Sequence, residues 1–347
     1  MSREARVEVE CCEADAREAP QQAPVEPPQF GLWPGLALAG MYIGSSILLF
    51  LAIRYSKLLE KRGEVSYDST AIVMSIEATK ILVSVALRYA ASGEFLPYSV
   101  TLGPRRGQLW RMSWFYLVPA LLYALYNNLT YLNLRHFDPG TVQLFMQTRI
   151  LFTGVLFVLL LHRSLSLRQW GALGALTVGL FIKYFSPTVV QTVGVSLLAV
   201  QLQAFLSSLA GVYNEMAFKR EACTSIHLQN FFMYLYGFFF NLLLGLLVAP
   251  QEYLRGSIFR HPHVIFIPII FLGALNGLTA AFILKFINVI VKAFAAAVEV
   301  VLMSVVAAAV LGEPLTQQDL IAGVIVTCSV YLYYTKGCGS EATFKPK

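Results

Sequence analysis

Charged side chains occur inside stretches of the sequence that are otherwise apolar. Glu77 and Lys80 lie three residues apart in one such stretch. Arg149 lies in the middle of a second, and Lys292 and Glu299 lie in a third. A charge at the centre of a bilayer costs at least about 2.5–3.5 kcal/mol, so such residues usually mark pairing or function. The positive and negative charges of these side chains nearly cancel, which suits pairing in a shared interior between helices.

Two interpretations of these charges are open. In the first, Glu77–Lys80 and Arg149–Glu299 are ion pairs that hold helices in register. In the second, Arg149, Lys292 and Lys80 face the phosphates of an anionic substrate. Buried ion pairs contribute little net stability, because desolvation offsets their attraction. This favours the second interpretation for Arg149 and Lys292 and leaves Glu77 and Lys80 undecided between the two.

Ring and amide side chains cluster in the same kind of stretch. A tyrosine ring can stack on a base or sugar, and an amide can pair with a base edge. Hydrogen bonding and packing between helices explain most such residues in membrane proteins. We select four for a substrate site because they share a depth with the charges. They are Tyr123, Asn127, Asn230 and Tyr234.

The sequence lacks the motifs of several other functions. There is no phosphate-binding Gly-x4-Gly-Lys-Ser/Thr loop, which argues against ATP-driven pumping, and no His-Glu-x-x-His pattern of a protease. The five cysteines have no paired or metal-ligand spacing. We therefore expect neither an enzyme, nor a metal site, nor a cofactor.

The composition indicates the fold class. Apolar and aromatic residues make up 57% of the chain and charged residues 13%, with a mean hydropathy of +0.63. The apolar residues occur in runs of about 20, the length that spans a bilayer. Because the bilayer core cannot hydrogen-bond the backbone, such runs must be helices. The sequence predicts an all-α integral membrane protein whose partner is the lipid bilayer, and no nucleic acid is expected.

Ten membrane spans are predicted, flanked by two tails. Residues 1–31 are acidic and rich in alanine and proline, which predicts a disordered cytosolic tail, and 337–347 form a second cytosolic tail. The spans are 33–53, 69–91, 112–134, 139–161, 168–185, 193–215, 228–249, 264–284, 291–311 and 316–335.

An internal repeat supports a division into two halves. At an offset of 150 residues, Leu161-His-Arg-Ser-Leu-Ser lies over Leu311-Gly-Glu-Pro-Leu-Thr. An offset of five helices would invert the second half, as in many secondary transporters. We predict a first five-helix repeat over 32–185 and a second over 186–336. Lys and Arg are more frequent on the side that carries the tails, which favours cytosolic termini.

Six stretches, in this order along the chain, carry a family resemblance. They are Glu77-Ala-Thr-Lys80, Tyr123-Ala-Leu-Tyr-Asn127-Asn128, Leu161-His-Arg-Ser-Leu-Ser-Leu-Arg-Gln169-Trp170, Ala210-Gly-Val-Tyr213-Asn-Glu215, Leu228-Gln-Asn230-Phe-Phe-Met-Tyr234 and Leu284-Lys285-Phe-Ile-Asn288-Val-Ile-Val-Lys292. With them the sequence resembles the nucleotide-sugar transporters of solute carrier family 35, subfamily A, in the drug/metabolite transporter superfamily. It looks closest to the UDP-sugar transporter branch.

The resemblance implies a set of site residues. Those that would line the pocket or bind substrate are Tyr123, Asn127, Asn128, Ser207, Asn230, Tyr234 and Lys292. Arg149 stands where the CMP-sialic acid transporters of the family place lysine, so the charge is kept. Val142 replaces a pocket tyrosine and Ala281 replaces a serine. Contacts to the base or sugar are therefore expected to differ from those of CMP-sialic acid transporters.

The resemblance also implies a function and a location. A multi-pass protein of the Golgi membrane would exchange a cytosolic pyrimidine nucleotide-sugar, UDP-linked first and CMP- or CDP-linked second, for a lumenal nucleoside monophosphate. Two alternatives stay open: a Golgi scaffold or regulatory member with little transport, and an exporter of another phosphorylated metabolite. A homodimer or a complex with glycosyltransferases would be compatible with each.

Overall fold

The computed structural model describes residues 32–63, 69–93, 95–104, 106–137, 139–185, 197–221, 224–248, 251, 263–312 and 314–335. The two predicted tails, 1–31 and 337–347, lie outside these residues. The described chain consists of α-helices and their connections and contains no strand. The predicted all-helical class is therefore confirmed.

Twelve helices form this part of the chain. In order they are α1 (Leu32–Lys61), α2 (Ser69–Ser92), α3 (Leu96–Thr101), α4 (Arg106–His136), α5 (Pro139–Met146), α6 (Arg149–Leu161), α7 (Leu167–Tyr184), α8 (Leu197–Arg220), α9 (Ile226–Val248), α10 (Phe266–Phe286), α11 (Val289–Leu311) and α12 (Gln317–Tyr334).

Six stretches of these helices are long and apolar enough to cross a membrane. They are Trp33–Glu60, Gly140–Leu161, Leu197–Arg220, Ile226–Leu247, Phe266–Phe286 and Val289–Val310. Helices α2, α4, α7 and α12 overlap predicted spans but are less apolar, because they hold charged and amide side chains such as Lys80, Asn133, Lys183 and Asp319. The chain is a multi-pass membrane protein.

The helices group into two compact units, Met1–Ala124 with Asn214–Asn288, and Leu125–Tyr213 with Val289–Lys347. In the first unit α2 packs against α3, α9 and α10, and α10 packs against α1. Polar contacts tie some of these helices together. Asn276 of α10 donates to the Ser46 hydroxyl of α1 at 2.5 Å, and the hydroxyls of Ser113 and Tyr236 link α4 to α9 at 2.7 Å.

The second unit is built around the pair α7 and α12, with α5, α6 and α11 packed against α7. The C-terminal part of α4 is joined to α8 by a buried amide network. Asn133 donates to the Gln203 side-chain carbonyl at 2.6 Å, and Gln203 donates to Thr130 at 2.7 Å. An apolar cluster beside it contains Phe137, Val142, Met146, Leu197, Val200 and Ala204.

One predicted span is interrupted. The run over 139–161 forms α5 and α6, which are separated at Gln147 and Thr148. At this point the backbone N–H groups of Gln147, Thr148 and Ile150 bond to the third preceding carbonyl. Such a tighter turn within a helical run often marks a bend or a functional hinge. Arg149 is the first residue of the helix that follows.

The sequence overlay at an offset of 150 residues has a counterpart in local structure. Helices α6 and α11 are followed by left-handed residues, His162 with φ 51° and Gly312 with φ 69°. Helices α7 and α12 then begin with capping boxes built on Ser166 and Thr316. In each box the capping hydroxyl accepts from the N–H three residues on, and that residue's side chain accepts from the capping N–H.

Gly179 sets the spacing of α7 and α12. A Cβ atom there would lie 2.9 Å from Cγ2 and 3.1 Å from Cβ of Ile325, and a β-branched side chain cannot easily rotate away. We expect Gly179→Ala to lower the free energy of unfolding by ~1–3 kcal/mol through overpacking. The matched control is Gly171→Ala on the same helix, where a Cβ would meet nothing within 4 Å.

Thermal unfolding of the purified protein checks this. Gly171→Ala should leave the melting temperature unchanged or raise it, because alanine favours a helix by ~1 kcal/mol. Equal effects of the two substitutions would contradict close packing at Gly179.

Candidate substrate site

A buried ion pair lies at the centre of the first unit. Lys80 donates to the Glu77 carboxylate at 2.5 Å within one turn of α2, and Lys80 is 8% exposed. The same ammonium lies 4.3 Å from the ring centroid of Tyr234 on α9. A cation over an aromatic face is attracted by the ring quadrupole. The ammonium therefore contacts both a carboxylate and an aromatic ring.

Gly277 of α10 lies close against this pair. The Tyr234 hydroxyl donates to the carbonyl of Gly277 at 3.2 Å. A Cβ at Gly277 would lie 2.9 Å from Cδ of Lys80, closer than a side chain can be placed without a shift. The small residue at this position allows the close approach of α2 and α10.

Tyr123 of α4 joins the same cluster. Tyr123 lies within electrostatic range of Tyr234 and in the neighbourhood of Asn214 of α8. Asn230 lies one turn before Tyr234 on α9 and is 0% exposed. Neither polar atom of its amide has a hydrogen-bond partner among the residues that the structure describes.

Arg149 stands in the second unit at the start of α6. Its backbone carbonyl accepts from Thr153 within α6 and from Ser208 of α8, both at 2.7 Å. Ser207, the predicted site residue, is half-buried next to Ser208. The Tyr184 hydroxyl lies within electrostatic range of both Arg149 and Glu299.

The remaining predicted site residues also belong to the second unit. Lys292 lies in the first turn of α11 and Asn127 lies on α4, and both are half-buried. The side chain of Asn128 is outside the described part of the structure. The structure thus brings Glu77, Lys80, Tyr123 and Tyr234 into one cluster. Arg149, Ser207, Lys292, Glu299 and Asn127 belong to the other unit.

Two charge clusters were not anticipated from the sequence. In the first unit Lys219 donates to the Glu215 carboxylate at 2.5 Å and to the Ile287 carbonyl at 2.7 Å, and Glu215 is 0% exposed. In the second, Lys183 of α7 donates to Asp319 of α12 and to Ser304 of α11. A Lys four residues after a Glu on one helix was the available signal for the first cluster. The second joins three separate helices and left no local signal.

The family model of the nucleotide-sugar transporters matches residues 35–334, which is nearly the whole helical part of the chain. The chain belongs to this nucleotide-sugar transporter family. The resemblance stated from the sequence motifs is thereby confirmed, and the chain is a transporter-family protein rather than an enzyme.

Individual proteins similar to this chain are also named as nucleotide-sugar transporters. The UDP-galactose transporter senju of Drosophila melanogaster is 30% identical over 319 residues, with 79% of this chain and 80% of the relative covered. CMP-sialic acid transporter 2 of Oryza sativa subsp. indica is 29% identical over 278 residues, with 79% and 77% covered. One solved crystal structure shares the fold with a TM-score of 0.64 at 13% identity, over 88% of this chain and 97% of the other.

Proposed function

We propose that this transporter is a secondary-active antiporter of pyrimidine nucleotide-sugars. It carries a UDP-linked sugar, or a CMP- or CDP-linked one, into the Golgi lumen in exchange for nucleoside monophosphate. The two named relatives carry uridine and cytidine nucleotides by name, and both bases are pyrimidines. The proposal takes that shared base class for this chain and assigns no particular sugar.

The observation that carries the proposal is the Lys80–Tyr234–Tyr123 cluster. A buried ammonium, two aromatic rings and the unpaired amide of Asn230 lie on three helices of one unit. A cation can bind a phosphate, an aromatic ring can stack on a base, and an amide can hydrogen-bond to a base edge. Arg149 and Lys292 are proposed as further phosphate ligands, with Asn127, Asn128 and Ser207 as pocket residues.

The proposed architecture is ten membrane crossings in two inverted repeats, with both termini cytosolic. Superposing each repeat on the other would place α2 on α9 and α7 on α12. The two helices of each of these pairs pack against each other. The same superposition would place the pair α1 and α10 on the pair α8 and α4. The first pair is in contact, and Asn133 and Gln203 join the second. The paired capping boxes at Ser166 and Thr316 support the same assignment.

A thermal-shift panel on the purified protein tests substrate binding. A ligand that binds only the folded state at 100 times its Kd stabilises it by ~2.7 kcal/mol, which raises the melting temperature by about 3 °C or more. We expect this from at least one UDP-, CMP- or CDP-linked sugar and from UMP or CMP, and not from GMP or AMP. If none of the pyrimidine nucleotides shifts the melting temperature, the proposal is wrong.

One observation favours a second candidate, a Golgi scaffold or regulatory member with little transport. Val142, which stands where the resemblance places a pocket tyrosine, is 3% exposed and packs within the apolar cluster of the second unit. A side chain committed to packing cannot contact substrate. For this candidate, nucleotide binding would occur without exchange across a membrane.

A further inference from the structure

The inference concerns the way in which Arg149, a proposed phosphate ligand, is held in place. Arg149 is the first residue of α6 and directly follows the interruption at Gln147 and Thr148. The N–H groups of Gln147 and Thr148 bond to the third preceding carbonyl, so the regular hydrogen bonding of α5 does not continue into α6. Helix α5 alone therefore does not set the position of Arg149.

Two side chains of α8 contact the chain at this point. The Ser208 hydroxyl is buried and donates to the Arg149 carbonyl at 2.7 Å, a shorter distance than the 3.0 Å to the Ala204 carbonyl of its own helix. The Gln201 side-chain oxygen accepts from the Thr148 hydroxyl at 2.9 Å. Helix α8 thus bonds both to Arg149 and to the residue before it.

The geometry of α8 suits this arrangement. Gln201 and Ser208 are seven residues apart, which is about two helical turns, so they lie on the same face of α8. Both belong to the second unit, as Arg149 does. Their bonds hold the backbone of Arg149 and the side chain before it, and they do not use the guanidinium. An arginine presents its donors to a phosphate in a rigid fork, so its binding depends on where its backbone is fixed.

We propose that Ser208 and Gln201 are positioning residues for phosphate binding. They fix the backbone at the interruption between α5 and α6, so that Arg149 presents its guanidinium to a phosphate of the substrate. Their effect on binding passes through Arg149 and needs no contact of their own with the substrate. The inference rests on the proposed function, since it requires that Arg149 binds a phosphate of a pyrimidine nucleotide.

The contribution of the phosphate to binding tests this role. Displacement of labelled UMP from the purified protein by UMP and by uridine gives two affinities, and their ratio reports that contribution. CMP and cytidine take their place if the protein prefers CMP. We expect Ser208→Ala to lower the ratio by about 5-fold or more, the size of one hydrogen bond, and to leave the nucleoside affinity within about 2-fold. A bond that only stabilises the fold would leave the ratio unchanged, which would overturn the inference.

A double variant shows whether Ser208 acts through Arg149. Arg149→Ala alone should lower the ratio, and adding Ser208→Ala should then change it by less than about 2-fold, because two residues that act as one unit are not additive. A further 5-fold fall would show that Ser208 acts independently of Arg149. An unchanged ratio in Arg149→Ala would also overturn the inference, since Arg149 would then not bind the phosphate.

Gln201→Leu removes the other contact, and we expect it to lower the ratio as well, whether or not Ser208→Ala folds. Ser329→Ala is the matched control. Ser329 is an equally buried serine of the second unit, and it donates to the Ile325 carbonyl within α12. It should leave the ratio unchanged. If neither UMP nor CMP binds the wild-type protein, the proposed function itself fails. If they bind and Ser208→Ala and Gln201→Leu keep the wild-type ratio, only the positioning role fails.

Discussion

Nucleotide-sugar exchange by the reconstituted protein is expected to fall at least about 100-fold when Arg149 or Lys292 is replaced by alanine. Truncating one partner of a desolvated charge pair costs about 2–5 kcal/mol, much of it from the charge left unpaired. In the Arg149 and Lys292 variants, the charge left unpaired would be a phosphate of the bound substrate. Counterflow of radiolabelled nucleotide-sugar into proteoliposomes loaded with UMP or CMP measures the effect.

Arg168→Ala is the control for this prediction. Arg168 lies at the start of α7, is exposed and donates to the Thr335 carbonyl. It should leave exchange within about 2-fold of the wild type, since exposed polar contacts contribute little. Exchange that survives both Arg149→Ala and Lys292→Ala would mean that these cations are structural, as the alternative interpretation of the sequence holds.

The second large effect is expected on stability. Lys219→Met leaves the carboxylate of Glu215, which is 0% exposed, without its short ion-pair partner. Breaking one side of a buried pair costs ~3–5 kcal/mol. Lys219 also donates to the Ile287 carbonyl between α10 and α11, so the connection loses a bond as well. We expect a clear drop in the melting temperature of the purified protein.

A double variant identifies the cause. In Glu215→Leu/Lys219→Met both charges are gone, and most of the lost stability should return, because matched apolar replacements of buried pairs are often neutral. Lys57→Met, at an exposed position on α1, should change stability by less than ~0.5 kcal/mol. A double variant no more stable than Lys219→Met would show that Lys219 acts through packing or through the Ile287 carbonyl instead.

Much of the helical frame could be predicted because apolar runs are local signals. The runs over α1, α8, α9, α10 and α11 are apolar enough to identify from hydropathy alone. The overlay of Leu161 on Leu311 aligns two connections that share a left-handed residue and a capping box in the structure, details that the overlay itself did not predict. Each of these signals lies within one continuous stretch of the sequence.

The interruption between α5 and α6 could not be predicted. The run from Gly140 to Leu161 is continuous in hydropathy. No proline or glycine stands at Gln147–Thr148, where a bend would be expected from residue type. The tighter turn there is accompanied by bonds from Thr148 to the Phe145 carbonyl and the Gln201 side chain of α8. The second of these is a tertiary contact with no trace in local sequence.

The types of residue in the candidate site could be predicted from the sequence, but the contacts between their side chains could not. Tyr234 was selected as a ring within an apolar run, and the role of Lys80 was left open, yet the two approach to 4.3 Å beside Gly277. Lys219 near the end of α8 was not singled out from the sequence, although it pairs with a fully buried carboxylate.

Transport by the purified protein is the most direct test of nucleotide-sugar antiport. Wild-type protein is reconstituted into liposomes loaded with unlabelled UMP, and uptake of labelled UDP-sugars is followed, with empty liposomes and GMP-loaded vesicles as references. We expect saturable uptake that depends on internal UMP and is absent with GMP. Uptake no greater than in protein-free liposomes, for every UDP-, CMP- and CDP-linked sugar and with UMP or CMP inside, would contradict it.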